Sequence, residues 1–257
     1  MLVHGIHPVA EILATRPESI ERIWIADGAR GPAVLRLAER ARAQGVRVER
    51  CPRARIDRMA EEGAVHQGVL ARVAEIGYVD LFAILDRIED VPLLVALDHV
   101  QDPHHLGAVL RSAHLLGAHG LVIPKDRAAG LTAVAVKASA GAAARLPVAR
   151  VTNLARTLDR LRMEGLRIVG ADMDGTPCDR ADLRGPLCLV VGSEGEGLRR
   201  LTRENCDEIV SVPMVGRGVG SYSVSASASI LLYEIRRQRR ADAGWGGSDG
   251  EEGAFRT

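Results

Sequence analysis

Long apolar runs, paired cysteines and lysine are what this 257-residue sequence lacks. No apolar stretch approaches the roughly 20 residues that a membrane-spanning helix needs, which excludes a helical membrane protein. The opening MLVHGIHPVAEIL does not have the basic-then-apolar layout of a secretory leader, so a soluble cytoplasmic protein is expected. The four cysteines, Cys51, Cys178, Cys188 and Cys206, are scattered without a C-x-x-C pair. Neither a disulfide framework nor a structural zinc site is expected from them. Excess charge of one sign is also missing, since 34 basic and 33 acidic residues leave a formal net charge of +1. Any basic surface for nucleic acid must therefore be local. Only Lys125 and Lys137 among the basic residues are lysines, the other 32 being arginines. Arginine suits bidentate contact with phosphate, but a codon-composition bias is the simpler reading, because the arginines are evenly spread and balanced by acids.

With 47% apolar and 26% charged residues, the chain has ordinary globular composition and enough length to bury a real core. Residues 1–73 read as a small α/β unit. Helical stretches are expected at 6–13, 33–43 and 56–60, and strands at 23–25, 46–48 and 69–71. Residues 74–92, with Leu81, Leu85 and Ile88 on one side, predict an amphipathic linker helix that ends before Pro92. From Leu93 strands and helices alternate. Strands are expected at 93–97, 121–124, 146–150, 166–171, 187–192 and 208–213. Helices are expected at about 105–116, 131–143, 153–164, 198–204 and 223–239. Such alternation predicts a parallel, helix-flanked sheet over 93–240. The glycine-rich, acidic stretch 241–257 is expected to be a disordered tail.

In open parallel sheets ligands bind beyond the carboxyl ends of the strands, and three loops there are unusual. The first, Asp98 to Gly107, leads into the helix AVLRSAHLLGA. The second is Gly192-Ser193-Glu194-Gly195-Glu196-Gly197, and the third runs from Pro213 to Tyr222 before SVSASASILLYE. The second loop spaces its glycines as G-x-x-G-x-G and carries two glutamates, which would repel a pyrophosphate. It suits a ligand that is cationic or carries a nucleoside, or else it is only a tight strand-to-helix turn. Five of the eight histidines fall between His99 and His119, yet adjacent His104 and His105 diverge by about 100° on a helix, so no metal site is expected. Arg111 stands among small residues on the helix that follows the first loop. It is either a surface arginine or a ligand contact. Arg47, Arg50, Arg53, Arg55 and Arg58 form a candidate phosphate patch, or equally a solvated helix face.

Together the three loops resemble the SpoU (TrmH-type) family of RNA ribose 2′-O-methyltransferases in the SPOUT superfamily. Residues 105–111 (HLGAVLR) match the family's Asn-x-Gly-(x)3-Arg pattern except at the first position. Leu189 to Leu198 matches the second motif, and Val212-Pro213-Met214 through Ser223-Val224-Ser225 the third. DPHHLGAVLRSA, VIPKDR, RVTNLART and LRRLTRENCDE are most similar to the subgroup that methylates guanosine in 23S ribosomal RNA. The resemblance implies a trefoil-knotted α/β methyltransferase domain and a small N-terminal domain, ribosomal-protein-like, that binds RNA. It further implies S-adenosyl-L-methionine as donor and an obligate homodimer. It assigns the donor to Gly192, Ser193, Gly197, Val212, Met214, Tyr222 and Val224, and the catalytic apparatus to Arg111, Glu194, Ser223 and His105. Two positions depart from the pattern, since His105 and Ser223 stand where the family has Asn. A transfer-RNA or resistance-type methyltransferase would share these motifs. A non-catalytic dimeric RNA-binding or ribosome-assembly protein is the reading that the two replaced Asn residues favour.

Overall fold

The computed structural model describes residues 1–60, 63–74, 76–216 and 220–242. Its first seven strands and α-helices are β1 (Leu2–His4), α1 (Ile6–Thr15), β2 (Ile20–Ala26), α2 (Pro32–Ala43), β3 (Val48–Cys51), α3 (Arg53–Met59) and β4 (Val69–Val73). They form a four-stranded sheet in the order β1-β4-β2-β3, with β2 and β3 parallel and the other pairs antiparallel. The period-2 alternation of β2 decides its two faces. Ile23 and Ile25 pack with Ile12, Leu13 and Leu37 of α1 and α2, whereas Trp24 joins Ile56 of α3 and Leu70. The second helix ends at Ala43, where its pattern predicts, and the Val46 N–H then closes back on the Ala41 carbonyl (2.9 Å). β3 therefore begins at Val48 rather than Val46.

The expected linker helix over 74–92 is largely absent. Among the described residues of this stretch only α4 (Leu81–Leu85) is α-helical. Asp80 starts it there, its side chain accepting from the N–H groups of Phe82 and Ala83. Upstream, backbone groups are engaged by the sheets instead: Ala74 N–H donates to Ser19 O and Val79 N–H to Val148 O. The helix buries Leu81 and Ile84, while Leu85 and Ile88 are only half-buried.

The second unit comprises β5 (Leu93–Asp98), α5 (Pro103–Leu115), β6 (Gly120–Pro124), α6 (Ala133–Ala138), β7 (Val148–Val151), α7 (Leu154–Met163), β8 (Arg167–Pro177), β9 (Leu187–Gly192), α8 (Arg200–Glu204), β10 (Glu208–Ser211) and α9 (Val224–Asp242). All neighbouring strands are parallel, in the order β10-β8-β9-β5-β6-β7. β5, buried at every position, is central. Leu93, Val95 and Leu97 face the layer of α5, α6 and α9, and Leu94 and Ala96 face that of α4 and α7. The helix expected over 131–143 is divided into α6 and a 3-10 turn at Ala142–Ala144. The break falls at Ala140 and Gly141, both left-handed (φ 49° and 96°), with the buried Ser139 hydroxyl donating to Val136 O and accepting from Ala143 N–H. The two units meet beside this break, where Arg145 reaches Glu11 (2.6 Å) and Lys137 Nζ donates to His4 Nε2 (2.9 Å). α9 continues through the residues where the tail was expected to begin; 243–257 lie outside the described residues.

α5 can approach α6 only because position 107 is glycine: a Cβ there would stand 2.5 Å from the Ala135 carbonyl oxygen and 2.5 Å from Ala138 Cβ. Gly107→Ala is expected to destabilise the protein by about 1–2 kcal/mol, overpacking outweighing the gain in helix propensity. Chemical denaturation checks this, and a raised midpoint would contradict it.

Candidate active site

The C-terminal edge of the six-stranded sheet is shaped by a short loop that folds back on itself. After β9, Ser193 and Gly197 exchange two backbone hydrogen bonds (3.1 Å each). Gly192 lies under this closure, where a Cβ would come within 2.2 Å of the Gly197 carbonyl carbon. The far end of the loop is held by Asp98, opposite Gly192 in the β5–β9 register and fully buried. Its Oδ2 accepts the Arg199 N–H (2.8 Å) and its Oδ1 accepts from His99 Nδ1 (2.5 Å).

Beside this loop, between β8, β9, β10 and the start of α9, lies a cavity of ≈ 400 Å³. Gly192, Ser193, Gly197, Val212, Met214, Tyr222 and Val224, the residues expected to hold the cofactor, all line it, as do Glu194 and Ser223. Arg217, Gly218 and Val219 of the third loop lie outside the described residues. The lining carries the carboxylates of Glu194 and Asp172 and, among the described residues, no lysine or arginine. Asp172 is held by the permanently charged Arg203 (2.7 Å), whereas the partner of Glu194 is an imidazole.

His105 and Arg111 do not line the cavity. His105 stands at its rim, donating from Nε2 to Glu194 Oε1 (2.8 Å); Asp102 Oδ2 is 3.8 Å away. That tautomer leaves Nδ1 to accept from the Ser225 hydroxyl (3.3 Å), itself 3.4 Å from the Ser223 hydroxyl. Glu194, His105, Ser225 and Ser223 thus form one hydrogen-bonded chain across α5, the loop and α9. Arg111, six residues on and roughly 9 Å farther along the α5 axis, is exposed, with no partner among the described residues. Ser112 and Ser229 (2.7 Å) fasten α5 to α9 beyond it.

Three contributors escaped the sequence reading. Asp98 stands at the end of an apolar strand, where nothing local distinguishes it from a loop aspartate. Asp172 follows β8's apolar core, but its strand continues to Pro177, farther than expected. Ser225 lies in an alternating serine run whose facing residues only helix packing decides. The histidines between 99 and 119 have separate partners, His119 pairing with Asp90 (2.7 Å) while His105 meets Glu194. Among the described residues no group of three His, Cys, Asp or Glu could hold a metal ion, and no helix is long and apolar enough to cross a membrane. In the N-terminal arginine group, Arg55 pairs with Glu49 (2.6 Å) and Arg53 with Asp57 (3.9 Å). Burial acts to raise the Glu49 carboxyl, but Arg22 and Arg55 bring it below its ordinary value. That patch is therefore partly neutralised.

Known proteins resemble this chain over most of its length. Residues 92–233 match the SpoU rRNA Methylase family, and residues 2–79 match a region described as RNA 2′-O ribose methyltransferase substrate binding. The chain is 44% identical over 242 residues to the 23S rRNA (guanosine-2′-O-)-methyltransferase RlmB of Pseudomonas aeruginosa, covering 92% of this chain and 96% of the relative. The protein of that name from Escherichia coli (strain K12) is also 44% identical, over 93% of this chain and 98% of the relative. Among solved structures, the SpoU methyltransferase AviRb of Streptomyces viridochromogenes, in complex with the cofactor AdoMet, superposes with a TM-score of 0.78 at 26% identity, over 94% of this chain and 91% of that one. Motif order, sheet edge and end-to-end likeness converge, and the chain belongs to the SpoU rRNA methylase family.

Proposed function

We propose that this chain is an S-adenosyl-L-methionine-dependent ribose 2′-O-methyltransferase that modifies a guanosine of 23S ribosomal RNA. The observation that carries the reading is the acidic, backbone-lined cavity with His105 at its rim and the unpaired Arg111 farther along the same helix. Its volume falls in the small-molecule range. The tight 193–197 turn brings main-chain groups to its wall, and Glu194 suits a positively charged sulfonium. When bound, the donor supplies a methyl group that is already activated, so the protein's task is alignment and charge management. The backbone around Gly192, Ser193 and Gly197 and the walls at Val212, Met214, Tyr222 and Val224 hold and orient the donor.

Arg111 binds the phosphate next to the target ribose and stabilises negative charge developing on its 2′-oxygen. A guanidinium stays protonated and cannot take the ribose proton. His105 Nδ1 can, through the Ser225 hydroxyl, which passes its proton to Nδ1 and takes that of the ribose, while Glu194 on Nε2 steadies the resulting imidazolium. Ser223, through Ser225, completes the chain in place of the family's amide. The absence of the two Asn side chains is thus answered by a continuous set of hydrogen bonds, which supports a catalyst over a binding-only relative.

Assembly belongs to the same proposal. Residues 1–73 serve as the RNA-binding domain, 74–92 as the connection, and 93–240 as the methyltransferase domain of a cytoplasmic enzyme. β10 lies at the sheet's outer edge while α9 packs on α5 and β9 at its middle, an arrangement that supports a trefoil-knotted domain. α5 and α9 run side by side, and Leu115 and Tyr233 are 70% and 61% exposed on them. Helical spacing aligns Leu115 with Ala108 and Arg111, and Tyr233 with Ala226 and Ile230. This stripe supports a homodimer in which Arg111 lies at the subunit contact.

Incubation with methyl-labelled donor and unmodified ribosomal RNA, followed by nucleoside analysis, is expected to place label in 2′-O-methylguanosine. RNA binding without label would establish the binding-only reading instead, and label in transfer RNA alone would reassign the substrate. Arg111→Ala should lower kcat by about 10²–10³-fold while donor affinity holds, as measured by turnover and calorimetry. Asp98→Asn leaves an amide that cannot accept both of its buried hydrogen bonds. It should cost about 1–3 kcal/mol of stability and weaken donor binding, read by denaturation and titration. Leu115→Asp with Tyr233→Asp should yield a monomer in sedimentation, and an unchanged dimer would remove this face from the assembly.

A further inference from the structure

The sheet edge carries a second concavity of opposite polarity. At the C-terminal ends of β5, β6 and β7, on the α7–α8 side, a cavity of ≈ 690 Å³ is lined by His99, Asp126, Arg127, Asn153, Arg199 and Arg200 among others. Arg200 is engaged by Glu204 (2.7 Å), whereas the side chains of Arg127 and Arg199 have no partner among the described residues. Asp126 is the one carboxylate in the described lining. Leu154 and Ala155, in the first turn of the ten-residue α7, also line it. Their N–H groups belong to the helix end that carries partial positive charge and lacks intrahelical acceptors. Asn153 caps Arg156 N–H and leaves those two free of it.

Backbone strain marks the same place. His99 and Arg127 are left-handed (φ 60° and 54°), a conformation uncommon for residues other than glycine. Both line the cavity, and their loops are tied by the Ala129 N–H donating to Val100 O (2.8 Å). Strained residues that persist together on a concave, cationic surface point to a held ligand. The loop after β9 connects this surface to the donor cavity, placing Glu194 in one lining and Arg199 in the other.

We propose that this basic cavity holds phosphates of the substrate RNA strand on the far side of the β5–β9 junction from the donor. Two free guanidinium groups and a helix N-terminus match the spread negative charge of a phosphodiester backbone. The exposed position of Arg127 suits a polymer passing over the edge better than an enclosed small anion. The inference rests on the RNA-methyltransferase reading above, and it adds a contact site remote from the reacting ribose.

The test measures affinity of the full-length protein for 23S ribosomal RNA across a potassium chloride series, with donor affinity and methyl transfer in parallel. Arg127→Ala with Arg199→Ala should weaken RNA binding by about tenfold. It should lower the slope of log affinity against log salt by about 1.5, for two lost phosphate contacts. Donor affinity should hold, and the defect in methyl transfer should lie in KM rather than kcat. The paired Lys variants should restore most of the slope, which a merely structural role for the arginines would not produce. An unchanged slope in the double Ala variant, with wild-type protein still methylating RNA, overturns the cavity assignment alone. Inorganic phosphate binding to wild type and lost in the double variant, with RNA affinity unchanged, would reassign the site to a free anion and likewise overturn it. Wild-type protein that neither binds nor methylates the RNA defeats the parent reading, and this one with it.

Discussion

The buried carboxyl of Asp98 is the constraint on which the working edge of this protein depends. It sits at the end of the central strand, fully enclosed, and accepts from the Arg199 backbone and from His99. One acceptor thereby fixes both the exit of the loop after β9 and the loop after β5. A buried polar group left unpartnered is costly, so these two loops have little freedom to separate. The closed turn at 193–197, the position of Glu194 and the reach of His105 all follow from where that loop starts and ends.

From this anchor the edge divides by polarity. Carboxylates and main-chain groups gather on the α9 side, and guanidinium groups on the α7–α8 side. Under the proposed reading, a cationic donor and an anionic polymer would meet the same sheet end without competing for one surface. The overall charge of +1 hides this division completely, since it is a property of where residues lie and not of how many there are. α5 lies in the same layer as α9, with His105 beside the acidic cavity and Arg111 exposed farther along.

Much of the architecture was legible. Apolar runs such as LLVAL and LCLVVG are buried on both faces, as a parallel sheet demands, and the strand-helix alternation from Leu93 onward matches the observed order. Periodicity misled where backbone groups had competing partners. Leu81, Leu85 and Ile88 suggested a long helix, but Val79 pairs with the edge of the sheet and Asp80 caps a short one. Alanine content suggested an unbroken helix across Ser139–Gly141, where tertiary contact with α1 and a buried serine hydroxyl favour a break.

The motif residues themselves were written in the sequence, including the glycines whose missing side chains permit close approach and the two positions where His105 and Ser223 replace Asn. Their partners were not. That His105 would meet Glu194 and Ser225, and that an aspartate ending an apolar strand would tie down residue 199, depends on segments about a hundred residues apart being brought together. Local pattern reports period and turn chemistry because these act between near neighbours along the chain. Hydrogen bonds across a sheet edge and between packed helices are set by the whole core, and only the folded structure decides them.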